Sequence, residues 1–384
     1  MNILIIGGTG VLSHAVVQEA LKQGISVTMI NRGRRKNLIP QGVELIKSDK
    51  DDKEAIHKAL RGRRFDAVMD YLCFTDNETT NSFNFYSRYT KQYFFISSCA
   101  VYNTSLGGVF KEDSPKVLSM WNYSVNKWES EKHLIKLASQ TDVKYTIIRP
   151  SVTYDDTRIP YGISPQYGFH WTLVARVLNG KPIIRWNGGI NRCNMMRVED
   201  FAIGVVGLIG NPKAYNEAFN VCGDETPSFN DVLETLSRLT HKEIKTIDIP
   251  SAFYAKELPE HAGEILGGRS LDSLNSNEKI KSVVPNFKQT IFLYEGMQMT
   301  YQAYINQNYQ HGIDWKFEGN TDRVILYWCK KNKIPFKKLN LRFIDYLNNA
   351  GWKEKVTYYF AFHKNRFDIR LVKCFVKLAR KIKK

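Results

Sequence analysis

Tyr123 and Lys127 stand four residues apart in Tyr-Ser-Val-Asn-Lys, and Ser98 precedes the tyrosine by 25 residues. On a helix, positions four apart share one face. A free phenol has a pKa of about 10 and is a poor base at neutral pH. An ammonium on the same face favours the phenolate and brings the tyrosine into range for proton transfer. Ser98 closes the apolar run Tyr93-Phe94-Phe95-Ile96, and ligands sit at such strand ends in open parallel sheets. A Tyr/Lys pair on its own equally describes a half-buried tyrosine beside a solvated lysine. Together with Ser98 and a glycine turn at the start of the chain, it points to proton transfer beside a bound dinucleotide.

That turn is Gly7-Gly8-Thr9-Gly10, placed after the apolar run Asn2-Ile3-Leu4-Ile5-Ile6. Val11, Leu12, Ala15, Val16, Ala20 and Leu21 then recur at helical spacing up to Gly24, where a helix would stop. Strand, glycine turn and helix make the first half of a dinucleotide-binding unit, whose backbone N–H groups and helix N-terminus hold a pyrophosphate. Ser13 occupies the third place of GxxGxxG, where a small residue still lets the helix lie close to the strand.

Further strands are expected at Ile25 to Ile30, Val43 to Ile46, Asp66 to Asp70, Tyr93 to Ile96 and Ile147 to Pro150. Helices are expected over Lys50 to Leu60 and Thr75 to Tyr89, and around Tyr123 to Lys127. This alternation reads as a doubly wound parallel sheet. Asn31-Arg32-Gly33-Arg34-Arg35 ends the second strand, where an acid would bind an adenosine ribose and an arginine would accept a 2′-phosphate. With the acid absent, Arg32 tilts the choice toward NADP, and a solvated basic loop is the alternative. Asp49 follows the third strand, near where an adenine would lie.

The net charge of +17 is uneven. Residues 321–384 hold 18 Lys and Arg against 4 Asp and Glu, leaving 37 against 34 elsewhere. The basic character therefore belongs to the C-terminal segment, and nucleic-acid binding by the body is not expected. No apolar run approaches the length of a membrane span, and a strand starting at residue 2 leaves no room for a signal peptide, so a cytoplasmic protein is expected. The six cysteines are scattered, with neither zinc-ligand spacing nor a disulfide framework, and no metal is expected. Near the C-terminus Phe367, Leu371, Phe375, Leu378, Ala379 and Ile382 recur at three or four, while Arg366, Arg370, Lys373, Lys377, Arg380, Lys381 and Lys384 lie largely elsewhere. Such a basic amphipathic helix over 365–384 can rest on an anionic leaflet or an acidic partner, or pack its apolar face on the body.

The stretches IIGGTGVLS, FFISSCAVY, YSVNK, IIRPSVTY, RVEDFAIG and FNVCGDE together resemble an extended short-chain dehydrogenase/reductase of the NAD-dependent epimerase/dehydratase family, over roughly residues 1–305. Asn31-Arg32-Gly33 is similar to its atypical branch. The resemblance implies a Rossmann-type α/β fold with a dinucleotide domain over 1–155 and a smaller substrate-binding part over 156–310, and the basic helical extension expected over 311–384 lies beyond it. It makes Tyr123 the acid/base, Lys127 the group that orients the nicotinamide ribose, and Ser98 the partner of the reacting oxygen. NAD or NADP would lie along Gly7, Thr9, Gly10, Val11, Leu12, Asn31, Arg32, Asp49, Tyr71 and Lys127. The substrate would be a nucleoside-diphosphate sugar touching Ser98, Tyr123 and Arg192, and a homodimer is compatible with the family.

Two departures narrow the chemistry. The family's 4,6-dehydratases follow the hydroxyl residue with Asp-Glu, whereas Cys99 and Ala100 stand here and cannot serve that elimination. An arginine that often reaches the nucleotide phosphate is replaced by Cys193; its neighbour Arg192 could substitute, although a strand neighbour points the other way. Hydride transfer at one carbinol remains, as epimerisation or one-way reduction in surface-polysaccharide synthesis. The competing expectation is a non-catalytic nucleotide-sensing or RNA-binding protein on the same fold.

Overall fold

The computed structural model describes residues 1–116, 121–166, 168–308, 312–341, 351–363 and 366–382. They form two compact units, each drawn from separated stretches of chain. The first takes residues 1–155, 191–228 and 266–296, and the second takes 156–190, 229–265 and 297–384.

The first unit is built on seven parallel strands: β1 (Asn2–Ile6), β2 (Ser26–Asn31), β3 (Glu44–Lys47), β4 (Ala67–Asp70), β5 (Gln92–Ile96), β6 (Lys144–Pro150) and β7 (Glu217–Val221). Their spatial order is β7-β6-β5-β4-β1-β2-β3. The order reverses between β1 and β4, where Ile6 of β1 lies opposite both Ile30 and Asp70. Such a switch point opens a crevice at the C-terminal strand ends.

Period-two alternation explains why both faces are covered. Ile3 and Ile5 of β1 join one core cluster, while Leu4 and Ile6 join another; Phe94 and Tyr93 of β5 divide in the same way. The first cluster takes Val16, Val17 and Ala20 from α1 (Val11–Lys22), with Phe201, Ala202 and Val205 from the Val198–Val206 helix. The second takes Ile56 and Leu60 from α2 (Lys53–Leu60), Phe83 and Tyr86 from α3 (Asp76–Tyr86), and Leu134 and Ala138 from α4 (Asn122–Ala138). The result is a Rossmann-type three-layer sandwich. The second helix starts at Lys53 and not at Lys50, because the Asp52 carboxylate accepts the N–H of Ala55 and caps it there. The third is closed at its start by the Thr75–Glu78 capping box.

In the second unit, rings of Tyr161, Trp186, Phe229 and Tyr254 pack edge-on and stacked. The Trp315–Lys331 helix, at the start of the segment expected as an extension, is buried here. Its Glu318 and Asp322 face Arg176 and Lys181, and all four side chains are at most 1% exposed. Nitrogen–oxygen separations run from 2.5 to 2.9 Å. Two cations balance two anions, which offsets the desolvation of each. Glu318→Gln keeps the volume and leaves two buried cations sharing one carboxylate. Urea denaturation should show a loss of about 3 kcal/mol, against under about 0.5 kcal/mol for Lys316→Gln on the exposed side of the same helix.

Candidate active site

The α4 helix carries Tyr123, Lys127 and Glu131 at successive spacings of four, hence on one face. Lys127 and Glu131 are buried, at 3% and 0% exposure. Lys127 Nζ donates to the carbonyls of Ile96 and Cys73, each at 2.7 Å. Ile96 is the last residue of β5 and Cys73 lies three residues beyond β4, so the ammonium sits over the C-terminal ends of two neighbouring strands. An ammonium has three N–H donors, and two are used here. Burial pulls the Lys127 pKa down to about 8, against the smaller opposing influence of Cys73, Asp70, Glu78 and Glu131.

One turn earlier, the Tyr123 ring lies 5.9 Å from that ammonium and packs on Trp121. The two serines after β5 have separate tasks. Ser97 is buried and its hydroxyl donates to Glu131 at 2.5 Å. Ser98 is partly exposed, and its hydroxyl oxygen accepts the Ala100 N–H at 3.1 Å as the cap of a short turn. Because that oxygen is held as an acceptor, its own proton can be directed at a ligand.

The depth and rotation of α4 are fixed from below. Arg149 on β6 grips Glu131 with two N–H groups, Nε at 2.9 Å and Nη2 at 2.6 Å. Its Nη1 donates to the Tyr102 hydroxyl, which donates in turn to Asn220 Oδ1 on β7 at 2.6 Å. This buried chain ties α4 to β5, β6 and β7 directly beneath Lys127. Sequence reading missed both Glu131 and Arg149. The only signal was an arginine at the end of an apolar strand and a glutamate four residues beyond the lysine.

The glycine turn is shaped for a close approach of ligand to backbone. Gly7 has φ +82°, and a Cβ there would lie 2.7 Å from the Leu72 side chain. Ser13 is buried; its hydroxyl donates to the Gly7 carbonyl at 2.8 Å and accepts the Gly10 N–H at 2.9 Å. It staples the turn as well as being small. Gly10 caps α1, whose first turn holds no acid, so the N–H groups of Val11 and Leu12 face outward at a positive helix end. Thr9 is held on the other side through its carbonyl, which accepts from Arg35 at 3.2 Å. These features fit the pyrophosphate of a dinucleotide.

At the end of β2, Asn31 Oδ1 accepts the Gly33 N–H at 2.7 Å and sets the following turn. Arg32 and Asp49 are both exposed and meet at 4.0 Å. A cation and an anion therefore stand together where the adenosine ribose was expected. Tyr71 follows β4 and packs against the first core cluster, and burial raises its phenol pKa above the ordinary value. Arg192 donates from its guanidinium to the carbonyl and hydroxyl of Thr226, at 2.9 and 2.5 Å. Burial pushes the neighbouring Cys193 thiol up to about 11, while the charge of Arg269 acts in the opposite sense. Arg269, absent from the sequence expectations, thus brings a cation toward position 193 from 76 residues further along the chain. The Arg197-Val198-Glu199-Asp200 stretch is pinned by Asp200, which accepts the N–H groups of Thr290 and Ile291 at 2.8 and 2.9 Å.

Comparison with known proteins bears on the family and the fold. The model of the NAD dependent epimerase/dehydratase family matches residues 3–222. The chain is 25% identical over 250 residues to the chloroplast stem-loop binding protein of 41 kDa b from Arabidopsis thaliana, covering 62% of each chain. It is 24% identical over 227 residues to a UDP-glucose 4-epimerase from Vibrio cholerae, covering 57% of this chain and 64% of that one. The match therefore spans less than two thirds of either relative. In fold it is similar to the crystal structure of UDP-glucuronic acid 4-epimerase from Bacillus cereus in complex with NAD, with a TM-score of 0.63 and 18% identity, covering 80% of this chain and all of that one. With a matched region of more than half its length and a sheet of the same kind, the chain belongs to the NAD-dependent epimerase/dehydratase family.

Proposed function

We propose that this protein is a cytoplasmic NAD(P)-dependent epimerase or reductase of nucleoside-diphosphate sugars, of the kind used to build surface polysaccharides. The observation that carries the reading is the Lys127 ammonium, desolvated at the ends of β4 and β5 and one helical turn from Tyr123. A purely structural lysine has no need of that burial, which disfavours its charge.

A nicotinamide bound here would supply hydride transfer at the sugar carbinol, in one direction for a reductase and reversibly for an epimerase. The protein's part is to move the proton. Lys127 would hold the nicotinamide ribose with its remaining N–H, and its charge favours the Tyr123 phenolate. Tyr123 takes the hydroxyl proton, and Ser98 donates to the oxygen as it becomes a carbonyl. Gly7, Gly10, Val11 and Leu12 hold the pyrophosphate at the start of α1, with Thr9, Asn31 and Tyr71 shaping the surrounding walls. Arg32 would accept a 2′-phosphate and tilts the choice toward NADP, a tilt offset by the Asp49 carboxylate 4.0 Å from it. Arg192, whose guanidinium is engaged with Thr226, and Arg269 are the cations we assign to a substrate diphosphate. A second reading, a nucleotide-sensing or RNA-binding protein on this fold, draws support from the likeness to the stem-loop binding protein.

Mass spectrometry of the dinucleotide that co-purifies, followed by a screen of nucleoside-diphosphate sugars, separates these readings. Tyr123→Phe should lower kcat by about 100-fold or more while leaving dinucleotide affinity within about twofold. Equal turnover by both proteins would remove Tyr123 as the base. The pH profile supplies an independent check. Lys127 is charged below about 8, so kcat/KM should fall on the alkaline side with an apparent pKa of about 8. A profile flat through that range would show that the ammonium is not needed.

A further inference from the structure

The C-terminal helices Trp352–Phe362 and Phe367–Ile382 carry apolar residues that the rest of the described chain does not cover. Residues 364–365 and 383–384, at the ends of the segment expected as a basic helix, lie outside the described residues. Within Phe367–Ile382 the buried contact is made by Ile369, which is 4% exposed. Phe367, Leu371 and Phe375 are 76%, 43% and 70% exposed. At about 100° per residue, these three fall within roughly 80° of one another, and Ile369 lies about 200° round from Phe367. The helix is thus seated by one side and presents a phenylalanine-rich stripe on the opposite one. Leu378 and Ile382 continue the same spacing in sequence. The preceding helix repeats the arrangement, with Ala361 buried at 8% and Trp352 and Val356 exposed at 72% and 44%.

The alternative in which the apolar face packs on the body therefore fails for the stripe itself. What covers it must also tolerate charge, because residues 351–384 carry eleven Lys and Arg against only Glu354 and Asp368. A cation-rich helix flanking an exposed stripe of Phe and Leu, with a nearby exposed Trp, is complementary to one kind of surface. Its rings enter the boundary between headgroups and acyl chains, and its Lys and Arg stay among anionic headgroups. Among the described residues no helix is long and apolar enough to cross a membrane, so the contact is peripheral.

We infer that the helices Trp352–Phe362 and Phe367–Ile382 dock the protein on an anionic lipid surface, with Phe367, Leu371 and Phe375 inserted at the interface. The inference stands apart from the chemistry proposed above, since none of these residues belongs to the dinucleotide or Tyr123 site.

The test uses the full chain, sedimented with vesicles of phosphatidylcholine alone and with vesicles of phosphatidylcholine and phosphatidylglycerol in equal parts. Binding should favour the anionic vesicles by about tenfold or more and weaken at high salt. Phe367→Ser with Phe375→Ser should lower that binding by about tenfold, and Arg370→Glu should lower it severalfold at low salt. All three substitutions lie at exposed positions, and dinucleotide binding by both variants should match the parent. The inference is overturned if neither vesicle is bound or if the double variant binds as well as the parent. It is equally overturned if the parent forms dimers in light scattering that the double variant abolishes while vesicles go unbound. Retention on single-stranded RNA without vesicle binding would assign the cations to nucleic acid and refute it as well.

Discussion

One lysine at the C-terminal ends of two interior strands sets the terms for the first unit. The Lys127 ammonium is taken out of water and given two carbonyl acceptors on adjacent strand ends. A rotation of α4 by a single residue, about 100°, would carry it off those ends and take Tyr123 with it. The strands must therefore end in register beneath it, and they do: β4 and β5 are paired from Val68–Tyr93 to Asp70–Phe95. The helix must also be held at one depth, which Glu131 does from a position one turn further along.

Buried charge serves as the fixing device in both units. In the first, Arg149 meets Glu131 through two N–H groups and donates from Nη1 to the Tyr102 hydroxyl and the Glu112 carbonyl, so the polar chain from Ser97 to Asn220 has partners at each step. In the second, Arg176 and Lys181 meet Glu318 and Asp322. Such groups add less to net stability than apolar packing of equal volume, because each ion loses its hydration. Their value is selectivity of arrangement: a slipped helix would leave an ion buried without its counter-ion, a penalty of several kcal/mol.

The sheet was legible because its strands are apolar runs punctuated by Gly, Asn and Asp. Six of the seven were placed by that punctuation, with boundaries off by a residue or a few; the sixth begins at Lys144, where pairing to Gln92 extends it beyond the apolar core. Ser98, Tyr123 and Lys127 could be nominated from sequence because the proton transfer proposed for them restricts residue type and spacing together. The supporting shell was not, since it is assembled from distant stretches. Nothing local marks Ser13 as the staple of the glycine turn, or Asp200 as the anchor of Thr290. Arg192 could be named as a cation, but its engagement with Thr226 depends on a strand bridge to Ser228 that periodicity does not reveal. The interleaving of the two units was equally hidden, because each is drawn from three separated stretches of chain.

The central claim is that the desolvated ammonium at the ends of β4 and β5 receives a dinucleotide. Calorimetric titration of NAD and NADP into the nucleotide-free protein and into Lys127→Met addresses it most directly. The account predicts one dinucleotide per chain, with affinity reduced about tenfold or more in the variant. No binding to the parent protein, or equal affinity in both, would contradict it.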